Sequence, residues 1–220
     1  RETVARERAR GQYNAWEYVL SKVVAELPLD AAYSGLYAWV LHANTIFHTP
    51  RSTFIGLYAL LASVSASLGL AVGAAAPSGE SALVAGPSLM VIYMVLGVLN
   101  PSGAPPSGEK KESCPGVLLP VKTASPIKWA VESLLCAEFR GLHFSRDLKS
   151  TPRMGAIALV RTGDQALEAL GLEDQTTGRC VRAMGTLLVS HILVAIGALA
   201  LAKPRYVELD SDHQGSVKGS

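Results

Sequence analysis

Between Ser52 and Asn100 the chain carries a single formal charge, that of Glu80. A water-soluble domain cannot leave so long an uncharged stretch facing solvent, so these residues favour the interior of a lipid bilayer. The averages over the whole chain hide this feature, because 220 residues with 49% hydrophobic side chains and a net charge of +2 would suit an ordinary globular protein. We therefore predict an all-α, polytopic helical membrane protein with polar ends and a polar insert.

Four segments are apolar enough to be candidate transmembrane helices; they cover residues 29–47, 54–76, 82–99 and 183–202. The second segment would be about 34 Å long as a helix, which exceeds a hydrocarbon core of about 30 Å. The first is less apolar because it contains Asp30 and His42. The third contains Pro87, which removes one backbone hydrogen bond, so we expect a kink there.

The predicted organisation has five parts: a cytoplasmic amphipathic helix (1–28), three transmembrane helices (29–100), an extracellular insert (101–182), a last transmembrane helix (183–203) and a disordered cytoplasmic tail (204–220). Lys and Arg are frequent before the first transmembrane helix and directly after the last, so the positive-inside rule places both termini in the cytoplasm. The amphipathic helix should lie on the membrane surface and turn inward at Pro28, either as a lead-in alone or also as a docking site. Because the chain opens at Arg1 with this helical pattern already running, we expect a longer protein.

Within the insert the sequence predicts a short helix over residues 125–140. Ser125 is a suitable N-cap, Pro126 suits the first helical position, and Gly141 suits the end. Such a helix is too short to cross a bilayer and too apolar for free solution, so a re-entrant helix fits best. A capping box at Thr162 and Gln165 predicts a second short helix.

Two carboxylates of the re-entrant helix, Glu132 and Glu138, are candidate functional groups in a wet vestibule. The alternative is that they face water or pair with Lys128 and Arg140. His191, in the middle of the last transmembrane helix, is either functional or satisfied by an interhelical hydrogen bond.

The third transmembrane helix carries an apolar stripe at helical spacing, made of Leu83, Pro87, Met90 and Met94. Methionine adapts to varied partners, so this stripe could line a pathway for apolar ligands, although core packing explains the same pattern. In the second helix Gly69 and Gly73 form a G-x-x-x-G pair, which favours close packing of helices.

Several kinds of chemistry have no support in the sequence. The chain lacks any Gly-Lys dipeptide, which excludes a phosphate-binding loop. Its histidines and cysteines lack metal-site spacing, and its basic residues form no stripe for nucleic acid. The sequence leaves undecided whether Cys114 and Cys180 form a disulfide, because cysteine pairing cannot be read from sequence. We therefore expect no catalytic residue, no metal and no cofactor bound by this chain.

Five motifs in order resemble the G subfamily of ATP-binding-cassette (ABC) transporters. They are Arg6-Glu7-Arg8 with the turn at Glu26-Leu27-Pro28, the block from Ser125 to Ala130, its continuation Glu138-Phe139-Arg140-Gly141-Leu142, the segment Thr162-Gly163-Asp164-Gln165, and the end from Lys203 to Tyr206. The likeness covers nearly all of residues 4–206. Ala137 departs from the pattern, because the subfamily usually has Asn before Glu-Phe.

The resemblance implies the C-terminal half of the membrane domain of a half-transporter, without its ATPase domain and first two transmembrane helices. Implied partners are a nucleotide-binding domain that holds ATP and Mg, a second half-transporter, and a hydrophobic small molecule or lipid that is exported, at the plasma membrane. Arg6, Glu7 and Arg8 would then contact the ATPase domain, and the stripe on the third helix would line the central cavity.

Two other functions fit the same residues. A non-transporting tetraspan scaffold would use Gly69 and Gly73 for helix association and the insert for partner binding. A passive channel is less favoured, since no charges that could form a ring lie in the transmembrane helices.

Overall fold

The computed structural model describes residues 14–98, 118–143 and 162–201. Its helices, in chain order, are α1 (Ala15–Asn44), α2 (Arg51–Ala75), α3 (Gly79–Val98), α4 (Leu118–Thr123), α5 (Pro126–Phe139), α6 (Gly163–Ala169) and α7 (Thr177–Leu201). Within these residues the sole β feature is an isolated bridge between His143 and Thr162. The prediction of an all-α protein is confirmed.

The first helix differs from its prediction. The expected turn at Pro28 is not present, and α1 continues through this proline as one helix of 30 residues. A proline inside a helix removes one hydrogen bond and crowds the preceding turn, yet packing along a neighbouring helix can compensate for that cost. Residues 15–28 of the predicted surface helix are therefore continuous with the predicted first transmembrane helix.

In the described part of the chain, α2 and α7 are the helices that are both long enough and apolar enough to cross a membrane. The apolar part of α3, Gly79–Val95, is shorter. α1 has sufficient length but retains Asp30 and His42. The last predicted span begins at residue 183, whereas α7 already begins at Thr177.

The centre of the fold is α2, which packs against α1, α7 and α5. Its contact with α1 and α7 buries small side chains, with Val19, Ala71, Ala74 and Ala195 in one cluster. A Cβ atom built on Gly69 or Gly73 would meet nothing within 4 Å among the described residues, so neither position requires glycine for the approach of a neighbouring helix. The expectation that α2 is a packing helix is correct, and Ala71 and Ala74 are buried in its contact.

The re-entrant helix of the prediction is α5, and its ends are as expected. Ser125 is the N-cap and Pro126 the first residue, and Gly141 after the helix has a φ of 74°, which favours glycine. α5 is held against α2, α3 and α7. The capping box of Thr162 and Gln165 also forms, at the start of α6.

The short α6 packs on the end of α5 through Gly163. The N–H of Gly163 donates to the carbonyl of Leu142 at 2.7 Å. A Cβ atom at this position would lie 1.8 Å from the carbonyl oxygen of Phe139. Glycine is therefore required where α6 meets α5.

Candidate functional site

The candidate site is α5 itself, which is fixed at its start, along its length and at its end by different contacts. At its start, the buried hydroxyl of Ser125 donates to the carbonyl of Tyr93 in α3 at 3.2 Å. The same oxygen accepts from the N–H of Lys128 at 3.2 Å. The Ser125 side chain thus both caps α5 and anchors it to α3.

In the middle of α5, Lys128 and Glu132 form the pair expected one helical turn apart. The Lys128 Nζ atom lies 3.7 Å from Glu132 Oε1, and the two side chains are 11% and 14% exposed. The ammonium also lies 3.8 Å from the ring centre of Trp129. This pair confirms the interpretation of Glu132 as a paired carboxylate.

The second oxygen of Glu132, Oε2, is buried without a hydrogen-bond partner among the described residues. Burial raises the pKa of Glu132 above its ordinary value, and the positive charges of Lys128 and Lys122 offset part of this rise. A carboxylate with one unused oxygen can take up a proton or accept a donor from a ligand.

At the end of α5, the carboxylate of Glu138 binds the turn between α1 and α2. Oε1 accepts from the N–H of His48 at 2.7 Å. Oε2 accepts from both the N–H and the hydroxyl of Thr49, at 3.0 and 2.7 Å. We call Glu138, His48 and Thr49 with these three hydrogen bonds the clasp.

The clasp shifts the ionisation of its carboxyl. Burial by itself would raise the pKa of Glu138, but the three hydrogen bonds to the charged form outweigh burial and lower the pKa. Arg140, considered from the sequence as the partner of Glu138, donates instead to the backbone carbonyl of Gln175. Pairing of Glu138 with Arg140 is therefore wrong.

Aromatic rings support the turn that the clasp holds. The His42 Nε2 atom lies 2.9 Å from the carbonyl of Thr49, so this nitrogen carries the proton and donates. The ring of Phe54 lies 5.4 Å from His42 and 4.6 Å from Phe47, measured between ring centres. Thr49 is thus held by Glu138 on one side and by His42 on the other. No sequence signal joins residues 48 and 49 to Glu138, because their contact depends on how α5 packs.

The stripe on α3 is not in the core of the described residues. Leu83 is 77% exposed and Met94 53% exposed, Pro87 is exposed, and Met90 is half-buried. On the same helix Tyr93 is buried, and its backbone carbonyl accepts from Ser125. Core packing within the described part of the chain does not account for this stripe.

The remaining candidates have simpler positions. His191 is buried between α7 and α2, where its Nδ1 atom lies 3.3 Å from the hydroxyl of Ser67, which confirms the interhelical hydrogen bond. Cys180 is a free, buried thiol. Arg6, Glu7, Arg8 and Cys114 lie outside the described residues.

Two comparisons with known proteins bear on this arrangement. Residues 1–139 match the family model described as ABC-2 type transporter. The chain is 31% identical over 213 residues to ABC transporter G family member 7 of Arabidopsis thaliana. That match covers 96% of this chain and 27% of the relative, so the chain spans about a quarter of the relative's length.

Proposed function

The chain belongs to the ABC-2 type transporter family, and from this membership we propose that it moves lipids, sterols or other hydrophobic compounds out of the cell at the expense of ATP. It is an integral membrane protein and a membrane component of an ABC transporter. In the proposed scheme it is the C-terminal part of the membrane domain of a transporter similar to the G subfamily.

The observation that carries the proposed cargo is the exposed stripe of α3. Leu83, Pro87 and Met94 are exposed and Met90 is half-buried, so the described residues of the chain leave most of this apolar face uncovered. An unbranched, polarizable methionine side chain adapts to ligands of different shape. A pathway for varied hydrophobic compounds, lined by this stripe and completed by a second half-transporter, fits this exposure.

The proposal assigns energy supply to a partner. A nucleotide-binding domain would hold ATP and Mg, and Arg6, Glu7 and Arg8 would contact that domain. Both termini would lie in the cytoplasm, with the plasma membrane as the site of action. A coupling free energy of about 1–3 kcal/mol between the ATPase domain and the membrane helices would be enough to shift an alternating-access equilibrium.

The proposed pathway is tested by replacing both Met90 and Met94 with alanine in the assembled transporter. We expect a changed substrate range in lipid and sterol transport into inside-out vesicles, with at least one substrate losing about tenfold in rate, because adaptable contact surface is removed. The matched control replaces Ile92 and Val95, which are also exposed on α3 but lie off the stripe. An export profile identical to wild type would leave the methionines as packing residues.

A further inference from the structure

The clasp joins two parts of the chain that are distant in sequence. Glu138 lies in the last turn of α5, and the turn of residues 45–50 joins α1 to α2. Both oxygens of one carboxylate are used, one for His48 and the other twice for Thr49. A helical glutamate near a surface would ordinarily be hydrated. Here three protein groups donate to one carboxylate in the place of water, which is a specific arrangement.

Thr49 is buried, and its N–H, hydroxyl and carbonyl groups all form hydrogen bonds. It is 2% exposed. Its N–H and hydroxyl donate to Glu138, and its carbonyl accepts from His42. Hydrogen bonds to an ionised group are shorter and stronger than neutral ones. Separation of α5 from the turn would break all of these bonds to Glu138 at once.

Each side of the clasp is held by further contacts. On one side, the turn sits on the aromatic rings of His42, Phe47 and Phe54. On the other side, α5 is anchored to α3 through Ser125. A displacement of either side therefore has to be shared by the other or has to break the clasp.

We propose that Glu138 is a positioning residue that locks the α1–α2 turn to the re-entrant helix, so that α1, α2 and α5 move as one body during transport. This inference rests on the proposed ATP-driven function. Motion that enters at the beginning of α1 reaches the turn at its other end, and the clasp transmits that motion to α5. The clasp stays closed in both end states of the cycle.

The first experiment measures hydrogen–deuterium exchange of the amides of residues 45–49 in the full-length transporter in nanodiscs. We expect the same slow exchange without nucleotide and in the vanadate-trapped state. In Glu138→Ala we expect exchange about tenfold faster or more, since the amides of His48 and Thr49 lose their acceptor. Glu168→Ala, which removes an exposed carboxylate of α6, is the control and should leave the exchange of residues 45–49 unchanged.

The second experiment uses a matched pair at Thr49. Thr49→Val keeps the shape and removes the hydroxyl, and Thr49→Ser keeps the hydroxyl. We expect basal ATP hydrolysis to be unchanged in both, and the stimulation of hydrolysis by substrate to fall severalfold in Thr49→Val while Thr49→Ser retains it. Equal stimulation in the two variants would overturn the positioning role, and so would a loss of basal hydrolysis in Thr49→Val.

The two proposals fail in different ways. Absence of ATP-dependent transport by the wild-type protein would refute the proposed function. A wild-type protein that transports, but whose amides at residues 48 and 49 exchange freely after vanadate trapping, removes the clasp as a rigid link and leaves the proposed function standing.

Discussion

Two carboxylates on α5 have opposite surroundings. Glu132, in the middle of α5, is largely buried against one ammonium group at 3.7 Å, and one of its oxygens has no partner among the described residues. Glu138, at the end of α5, has both oxygens saturated by three donors from a distant turn. Burial raises the pKa of Glu132, whereas hydrogen bonding lowers the pKa of Glu138 in spite of burial.

The difference follows from what lies beside each residue. In the middle of a helix the backbone N–H groups are already paired, so Glu132 can be stabilised only by side chains such as Lys128. At the end of α5, Glu138 faces a turn whose N–H groups have no helical acceptor and need one. Position along α5 thus decides which carboxylate links a distant turn and which keeps one oxygen without a partner among the described residues.

The largest expected effect comes from Glu138→Ala. This change leaves the donors of His48 and Thr49 without an acceptor, so we expect a loss of roughly 3 kcal/mol in the free energy of unfolding. The measurement is reversible denaturation of the purified protein in mixed micelles, with Glu168→Ala expected to stay within about 0.5 kcal/mol of wild type. If Glu138→Ala cost no more than this control, the clasp would not contribute to stability.

A smaller effect is expected from Lys128→Met. Removing the ammonium leaves the Glu132 carboxylate largely buried without a counter-charge, which should cost about 2 kcal/mol in the same assay. Adding Glu132→Gln to this variant should restore most of the loss, because no buried charge remains. Failure of the second change to restore stability would show that Lys128 acts through its packing on Trp129 and not through Glu132.

The smallest effect is a difference in pH dependence between two variants. The pKa of Glu132 is raised, so the cost of its ionisation is fully present above that raised pKa and is gone below its ordinary value of 4.5. The pKa of Glu138 is lowered, so its stabilisation is complete above 4.5 and is lost as the pH falls through the lower value.

Acidification from pH 7 should therefore first raise stability and then lower it. Glu132→Gln should abolish the rise, and Glu138→Gln should weaken the later fall. Unfolding midpoints measured across this pH range for the wild type and both variants test the expected rise and the expected fall in stability. A rise that persists in Glu132→Gln would assign it to another group.

Local signals in the sequence predicted the ends of several helices well. Ser125, Pro126 and Gly141 define α5 because capping and positive φ are properties of a few neighbouring residues. The same reasoning failed at Pro28, where packing of α1 against α2 and α7 outweighs the cost of one missing hydrogen bond. It also singled out Gly69 and Gly73 for close packing, whereas no described atom lies within 4 Å of a Cβ atom built on either glycine.

By itself, the sequence determined that this chain is a helical membrane protein and that α5 begins and ends where it does, because hydropathy and helix capping depend on residues close together in the chain. The tertiary structure alone decided which of two carboxylates on α5 would hold another segment. That choice depends on where the turn at His48 and Thr49 lies in space, and helix packing brings this turn to Glu138 across a long stretch of chain. No local pattern encodes such a meeting.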